Sequence, residues 1–340
     1  PLLAPDRDVD EERRERDRPE RVDHEQRHER AGDIVEGEEA GEHERHIMRH
    51  DAGMRRLALL VLLLLAPAAQ AADPSAQPDV APVTVRREIG DAVLLRSWYP
   101  TWNGHRRTLL IAYPRRAGRV PLLVTNHPAG LSMVCTDARS LEAARAGYAL
   151  ACVSGQGNAT RAFSYGSAGQ IADLARAPQV VQDRMTDVRV DPSRVYLVGS
   201  SMGGTEALLV ALRYPQAYDR VIALDPITDL GRRWASLPLN RRPLLESECG
   251  GTPAQQPLCY AVRSPLALVP TATALPAQLQ LWYSPADPVV GEPRQAPAFI
   301  AALTARHLPG GFAVRTGRWG HGTPWDRNLY AAALGLHPTG

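Results

Sequence analysis

Residues Val195 to Leu212 read VYLVGSSMGGTEALLVAL. An apolar run enters, two serines sit between glycines, and a helix-forming apolar pattern leaves. Gly199-Ser200-Ser201-Met202-Gly203 fits G-x-S-x-G, a pattern in which a serine is held on a sharp turn between a strand and a helix. Such a turn is so tight that the residues two positions away on either side must be small. Ser201 has Gly199 and Gly203 there. Ser200 has Val198 and Met202, which would clash. Ser201 is therefore the candidate nucleophile, and Gly204 lets the start of the helix lie close to the sheet. The glycines serve backbone geometry rather than phosphate binding.

Working outward, short apolar and β-branched runs recur at Val83–Val85, Val93–Trp98, Thr108–Tyr113, Val120–Thr125, Tyr148–Val153, Arg194–Val198, Arg220–Leu224, Gln278–Tyr283 and Phe312–Thr316. From the fourth onward they are nearly continuous, as in strands buried on both faces. Helical patterns lie between them. One starts at Asp137 as N-cap and stops at Gly147, a second includes Pro178, a third ends at Pro215 and a fourth ends before Leu308. Strands alternating with helices predict an α/β protein with a mostly parallel sheet covered on both faces, after an antiparallel lead-in. Residues 231–270 break the alternation and read as a cap inserted over the carboxyl edge of the sheet.

A serine hydroxyl needs a base and an orienting acid. On a strand–serine–helix turn these follow in the order serine, acid, histidine. His105 and His127 precede Ser201, His307 ends a helix and His337 lies in the tail. His321, in the glycine-rich GRWGHGTP after the last strand, is the candidate base. For the acid, Asp287 in YSPADPVVG is favoured over Asp225 in IALDPITDL, which also suits a turn-capping role before Pro226. Two backbone N–H groups must receive the oxyanion. Met202 supplies one. Ala129 supplies the other, with Gly130 behind it, because Pro128 has no N–H. His127 reads as structural or substrate-lining.

With these elements in order, the region from Arg107 onward resembles the α/β-hydrolases. The segments DPSRVYLVGSSMGG and SPLALV…LPAQLQLWYSPADPVV are similar to the prolyl-oligopeptidase-like and dienelactone-hydrolase-like groups. That resemblance implies an eight-stranded-type sheet with helices on both faces and a small cap. It also implies an acid in a D-x-x-V turn, here Asp287-Pro288-Val289-Val290. The His-Gly oxyanion motif of those groups reads His127-Pro128 here, and the N-terminal extension is too short for a β-propeller. The function it implies is a cofactor- and metal-independent serine hydrolase acting on a small ester, with a peptide as the second substrate class. A non-catalytic binding protein on the same scaffold is the alternative of another kind.

Residues 1–53 hold 18 of the chain's 37 acidic residues and almost no apolar periodicity, a composition that predicts disorder. From Met54, two arginines, the apolar run Leu57–Leu65 and Ala69-Gln70-Ala71 make the three-part pattern of a signal peptide over residues 54–71. Residues 1–53 then read as upstream sequence, and 72–340 as the exported, periplasmic or extracellular catalytic domain with no membrane anchor. That domain carries 27 arginines and 19 acids, a net +8, scattered rather than striped, which argues against a nucleic-acid partner. The four cysteines form no zinc pattern. In an exported chain they predict disulfides, with Cys249–Cys259 and Cys135–Cys152 the favoured pairs.

Overall fold

The computed structural model describes residues 79–115, 118–131, 133–156 and 163–336. The expected disordered stretch and signal peptide lie outside them. Nine strands form one sheet: β1 Val85–Ile89, β2 Ala92–Pro100, β3 Arg106–Pro114, β4 Arg119–Asn126, β5 Ala149–Val153, β6 Arg189–Ser200, β7 Arg220–Leu224, β8 Gln278–Tyr283 and β9 Phe312–Thr316. Their spatial order is β1-β2-β3-β5-β4-β6-β7-β8-β9. β1, β2 and β3 pair antiparallel, β3 pairs antiparallel with β5, and every later pairing is parallel. The sheet is thus mixed, with one strand more than the eight-stranded expectation. The extra strand is the exposed edge β1, whose Val-Arg-Arg-Glu-Ile starts at the last residue of the run at Val83–Val85.

Alternate residues of each strand serve opposite faces. Leu197 and Val221 join a core with Ile171, Leu208 and Phe299, while Tyr196, Val198 and Ile222 join one with Leu141, Ala144 and Trp325. The first core is covered by α2 (Ala168–Arg184), α3 (Met202–Arg213) and α8 (Ala296–Arg306). The second is covered by α1 (Asp137–Arg145) and the C-terminal turns α9 (Thr323–Asp326) and α10 (Tyr330–Ala333). α1 is capped by Thr136, whose side chain accepts from Arg139 N, rather than by Asp137. Asp137 instead lies in the first turn, where a carboxylate favours the helix dipole. α2 continues through Pro178, where burial of Leu174, Ala177 and Val181 outweighs the lost hydrogen bond.

Between β7 and β8 the chain makes four short helices: α4 Leu230–Ser236, α5 Arg242–Cys249, α6 Pro257–Val262 and α7 Pro265–Leu268. Leu230, Leu237, Leu245, Cys249 and Tyr260 from this cap pack with Tyr165, Met202 and Val290 in a third apolar cluster. Two disulfides join Cys135 to Cys152 and Cys249 to Cys259, with Cα atoms 6.0 and 5.6 Å apart. The first ties the loop after β4 to β5, and the second ties α5 to α6. No helix among the described residues is long and apolar enough to cross a membrane.

Candidate active site

Register sets the site. Ser200 pairs with Leu224, Leu224 with Trp282, and Trp282 with Arg315. The carboxyl ends of β6, β7, β8 and β9 therefore lie level, and the residues that follow each strand leave along one edge. Ser201, Asp225, Asp287 and His321 are all in those segments.

Ser201 stands between β6 and α3 with φ 55° and ψ −119°, a strained conformation for a residue with a side chain. Its N–H donates to Leu224 O at 2.9 Å, and its carbonyl accepts from Thr205 N at 2.9 Å. A Cβ on Gly199 would lie 2.2 Å from Gly203 O. One on Gly203 would lie 2.7 Å from His127 O, and one on Gly204 would lie 2.8 Å from Leu224 O. The glycines are thus required by close backbone approach on both sides of Ser201. Met202 opens α3, where a backbone N–H has no partner within the helix. Ala129 packs against the apolar cluster that also contains Met202.

His321 Nδ1 meets Asp287 Oδ2 at 2.7 Å, with the Asp287 side chain fully buried and the ring 28% exposed. Asp287 Oδ1 accepts from Val289 N at 2.7 Å. Burial alone would raise the Asp287 pKa, but the hydrogen bonds from His321, Val289 and Val290 outweigh it and hold the carboxyl below its ordinary value. Asp287 is therefore an anion at neutral pH, and His321 Nδ1–H is the donor that it orients.

Asp225 follows β7 with φ 46° and is fully buried. Its Oδ1 accepts from Trp319 Nε1 at 2.9 Å and its Oδ2 from Gly322 N at 3.0 Å. These donors flank His321 in sequence, so Asp225 grips the loop that carries the ring. Burial raises its pKa, opposed by those two hydrogen bonds and reinforced by the nearby Asp287 charge. One atom from each of Asp225, Asp287 and His321 falls within 4.8 Å of the others. Each carboxylate oxygen already accepts an N–H, however, and a cation there would displace the His321–Asp287 bond.

Two features carried no sequence signal. Buried Glu206 on α3 accepts from Asn126 Nδ2 (2.6 Å), Ser164 Oγ (2.5 Å) and Gly166 N (2.8 Å). Asn126 Oδ1 in turn accepts from His127 N at 3.0 Å, so Glu206 braces the loop leading to Ala129. Tyr165 N–H donates to Met202 Sδ at 3.3 Å, which puts the loop before α2 against the residue after the serine. His127 is wholly buried, burial lowers its pKa, and its Nδ1 lies 3.2 Å from Pro128 O. That is a structural placement. His307 is the left-handed C-cap of α8.

Comparison with known proteins agrees with this architecture. Residues 177–327 match the family described as "Putative esterase". No curated protein is significantly similar in sequence. Among solved structures, the acetyl xylan esterase from Paenibacillus sp. R4 is 16% identical with a TM-score of 0.56, over 78% of this chain and 90% of that one. Dipeptidyl peptidase 4 of Porphyromonas gingivalis is 20% identical with a TM-score of 0.53, over 71% of this chain. Oligopeptidase B of Leishmania major is 16% identical with a TM-score of 0.57, over 72% of this chain. The chain spans about a third of the length of these two peptidases, 35% and 36%. The chain thus shares the fold of these hydrolases, and residues 177–327 are similar to a family of esterases.

Proposed function

We propose that the protein hydrolyses carboxylic esters through Ser201, His321 and Asp287. The observation that carries this reading is the 2.7 Å pairing of His321 Nδ1 with buried Asp287, on the edge from which the strained Ser201 turn also leaves. Ser201 Oγ attacks the ester carbonyl and its proton passes to His321 Nε2. The N–H groups of Met202 and Ala129 receive the oxyanion. Collapse expels the alkoxide, which takes the proton from His321 and leaves as alcohol. Water then attacks the acyl-serine, with His321 again as base, and releases the acid and free Ser201. Asp287 fixes the imidazole tautomer and stabilises the positive ring in each half. Export to an oxidising compartment fits the two disulfides and the leader pattern at 54–71.

The test is labelling by a fluorophosphonate probe, beside a panel of p-nitrophenyl esters and aminoacyl-p-nitroanilides. The expected result is labelling abolished by Ser201→Ala and turnover of the esters. Labelling that survives Ser201→Ala would overturn the nucleophile. Turnover of the anilides alone would make the protein a peptidase.

A further inference from the structure

The cap is cationic. Residues 231–270 contain five arginines and two acids, Glu246 and Glu248. Three of the arginines are spent on the protein itself. Arg232 pairs with Asp229 at 3.9 Å. Arg242 stacks 4.4 Å over Trp234 and donates to Leu237 O and Ala235 O. Buried Arg263 lies 3.6 Å from Glu248 and donates to Glu248 O and Ser164 O. The guanidinium groups of Arg233 and Arg241 donate to no acceptor and pair with no acid among the described residues.

Arg241 is exposed, but Arg233 is half-buried. It lies three residues after Leu230 and four before Leu237 on α4. Those spacings put it on the helix side that both leucines bury in the cluster with Met202. Burial lowers its pKa, and the charged groups that act on it are Arg241 and Asp287. Tyr165 touches Met202, the residue after Ser201, and stacks on Phe163 with ring centroids 6.1 Å apart. α4 thus carries a half-buried cation on the side that faces the apolar cluster holding Tyr165 and Met202, the residue after Ser201. Asp287 does not serve it as a hydrogen-bonded partner, because its oxygens are taken by His321 and Val289. A partly desolvated guanidinium without a partner is an anion-binding group, and its planar fork suits a carboxylate.

We propose that Arg233 is a specificity determinant that binds a carboxylate on the ester substrate, so that the protein prefers esters carrying a negative charge near the scissile bond over neutral ones. This inference rests on the ester-hydrolase reading above. The carboxylate belongs either to the acyl part or to the alcohol part of the substrate, and two matched pairs separate these. Monomethyl adipate against dimethyl adipate places the charge on the acyl side. 4-Acetoxybenzoate against its methyl ester places it on the alcohol side.

The experiment measures kcat/KM for both pairs in the wild type, Arg233→Gln and Arg233→Lys. It also measures binding of the same four esters to the Ser201→Ala variant with and without Arg233→Gln. In one pair the charged ester should be favoured by roughly tenfold or more, the worth of one charge-assisted hydrogen bond. Arg233→Gln should erase that ratio, and Arg233→Lys should retain part of it. The ratio should also shrink with added salt. A wild-type ratio at or below one in both pairs would overturn the proposal. So would an Arg233→Gln variant that slows charged and neutral esters equally, because Arg233 would then only offset the Asp287 charge. Should Arg233→Gln fail to fold, a Lys variant with an unchanged ratio in both pairs and at high salt overturns it as well. If no ester is turned over yet Ser201→Ala binds the charged esters in an Arg233-dependent way, the ester reading fails and the anion site stands.

Discussion

Two buried carboxylates converge on His321, and the structure gives them different work. Asp287 bonds the ring; Asp225 bonds the backbone and the indole on either side of it. The substitutions Asp287→Asn and Asp225→Asn should therefore fail by different amounts. In Asp287→Asn the acceptor facing His321 Nδ1–H can be lost to an NH2 group, which favours the wrong tautomer. The expected loss in kcat is about four orders of magnitude, the scale known for such a change in a Ser-His-Asp triad. In Asp225→Asn the ring keeps its acid. The new amide can accept from only one of Trp319 Nε1 and Gly322 N, and its NH2 must face the other. One buried donor left without an acceptor costs about 1–3 kcal/mol. If all of that cost appears as displacement of the His321 loop, kcat falls by roughly 5- to 150-fold. The assay is steady-state hydrolysis of one p-nitrophenyl ester by wild type and both variants, with circular dichroism confirming the fold. An Asp225→Asn loss as large as that of Asp287→Asn would refute the division of labour. An Asp287→Asn variant with near wild-type turnover would refute the choice of acid itself.

Glu206→Gln should loosen the approach to Ala129. Three donors reach the two Glu206 oxygens, and a glutamine must turn its NH2 towards at least one of them, at about 1–3 kcal/mol. A lowered melting temperature together with lowered kcat is expected, and a melting temperature unchanged from wild type would count against the brace. Asp173 on α2 supplies a pH signature. Burial pushes its carboxyl up to about 6, against the hydrogen bond and charge of Arg176. A folded-state value above the unfolded one means that ionisation disfavours the fold, so the penalty is absent below about pH 4, grows up to about pH 6 and is complete above it. The shift of about two units corresponds to roughly 3 kcal/mol at pH 7. The melting temperature of Asp173→Asn minus that of wild type should rise between pH 4 and pH 7, and a flat difference would contradict the assignment.

How far the sequence reaches depends on the distance over which each contact acts. Strands β4 to β8 are legible because burial on both faces leaves a nearly continuous apolar run, as in Val195–Val198, whereas β9 is an exposed edge. The exposed β1 leaves only the short run Val83–Val85 as its trace, so its boundaries are misplaced. The turn at Ser201 is equally local: the clash between positions 199 and 203 is written in five residues. Pairings that span the chain leave no such trace. Trp319 and Asp225 are 94 residues apart, and the turn-capping use of an aspartate before proline accounts for Asp225 just as well until the last loop is seen folded back. Glu206 sits in a helix pattern where a glutamate ordinarily faces water, yet it is wholly buried because the end of β4 and the loop before α2 bring it three donors. A similar argument separates Arg233 from the other cap arginines. Five cations in forty residues read as a generally basic surface, and only the partners that three of them find single out the two that remain. What a sequence conceals here is the subtraction: a charge becomes a binding group when folding has supplied its neighbours with partners and left it none.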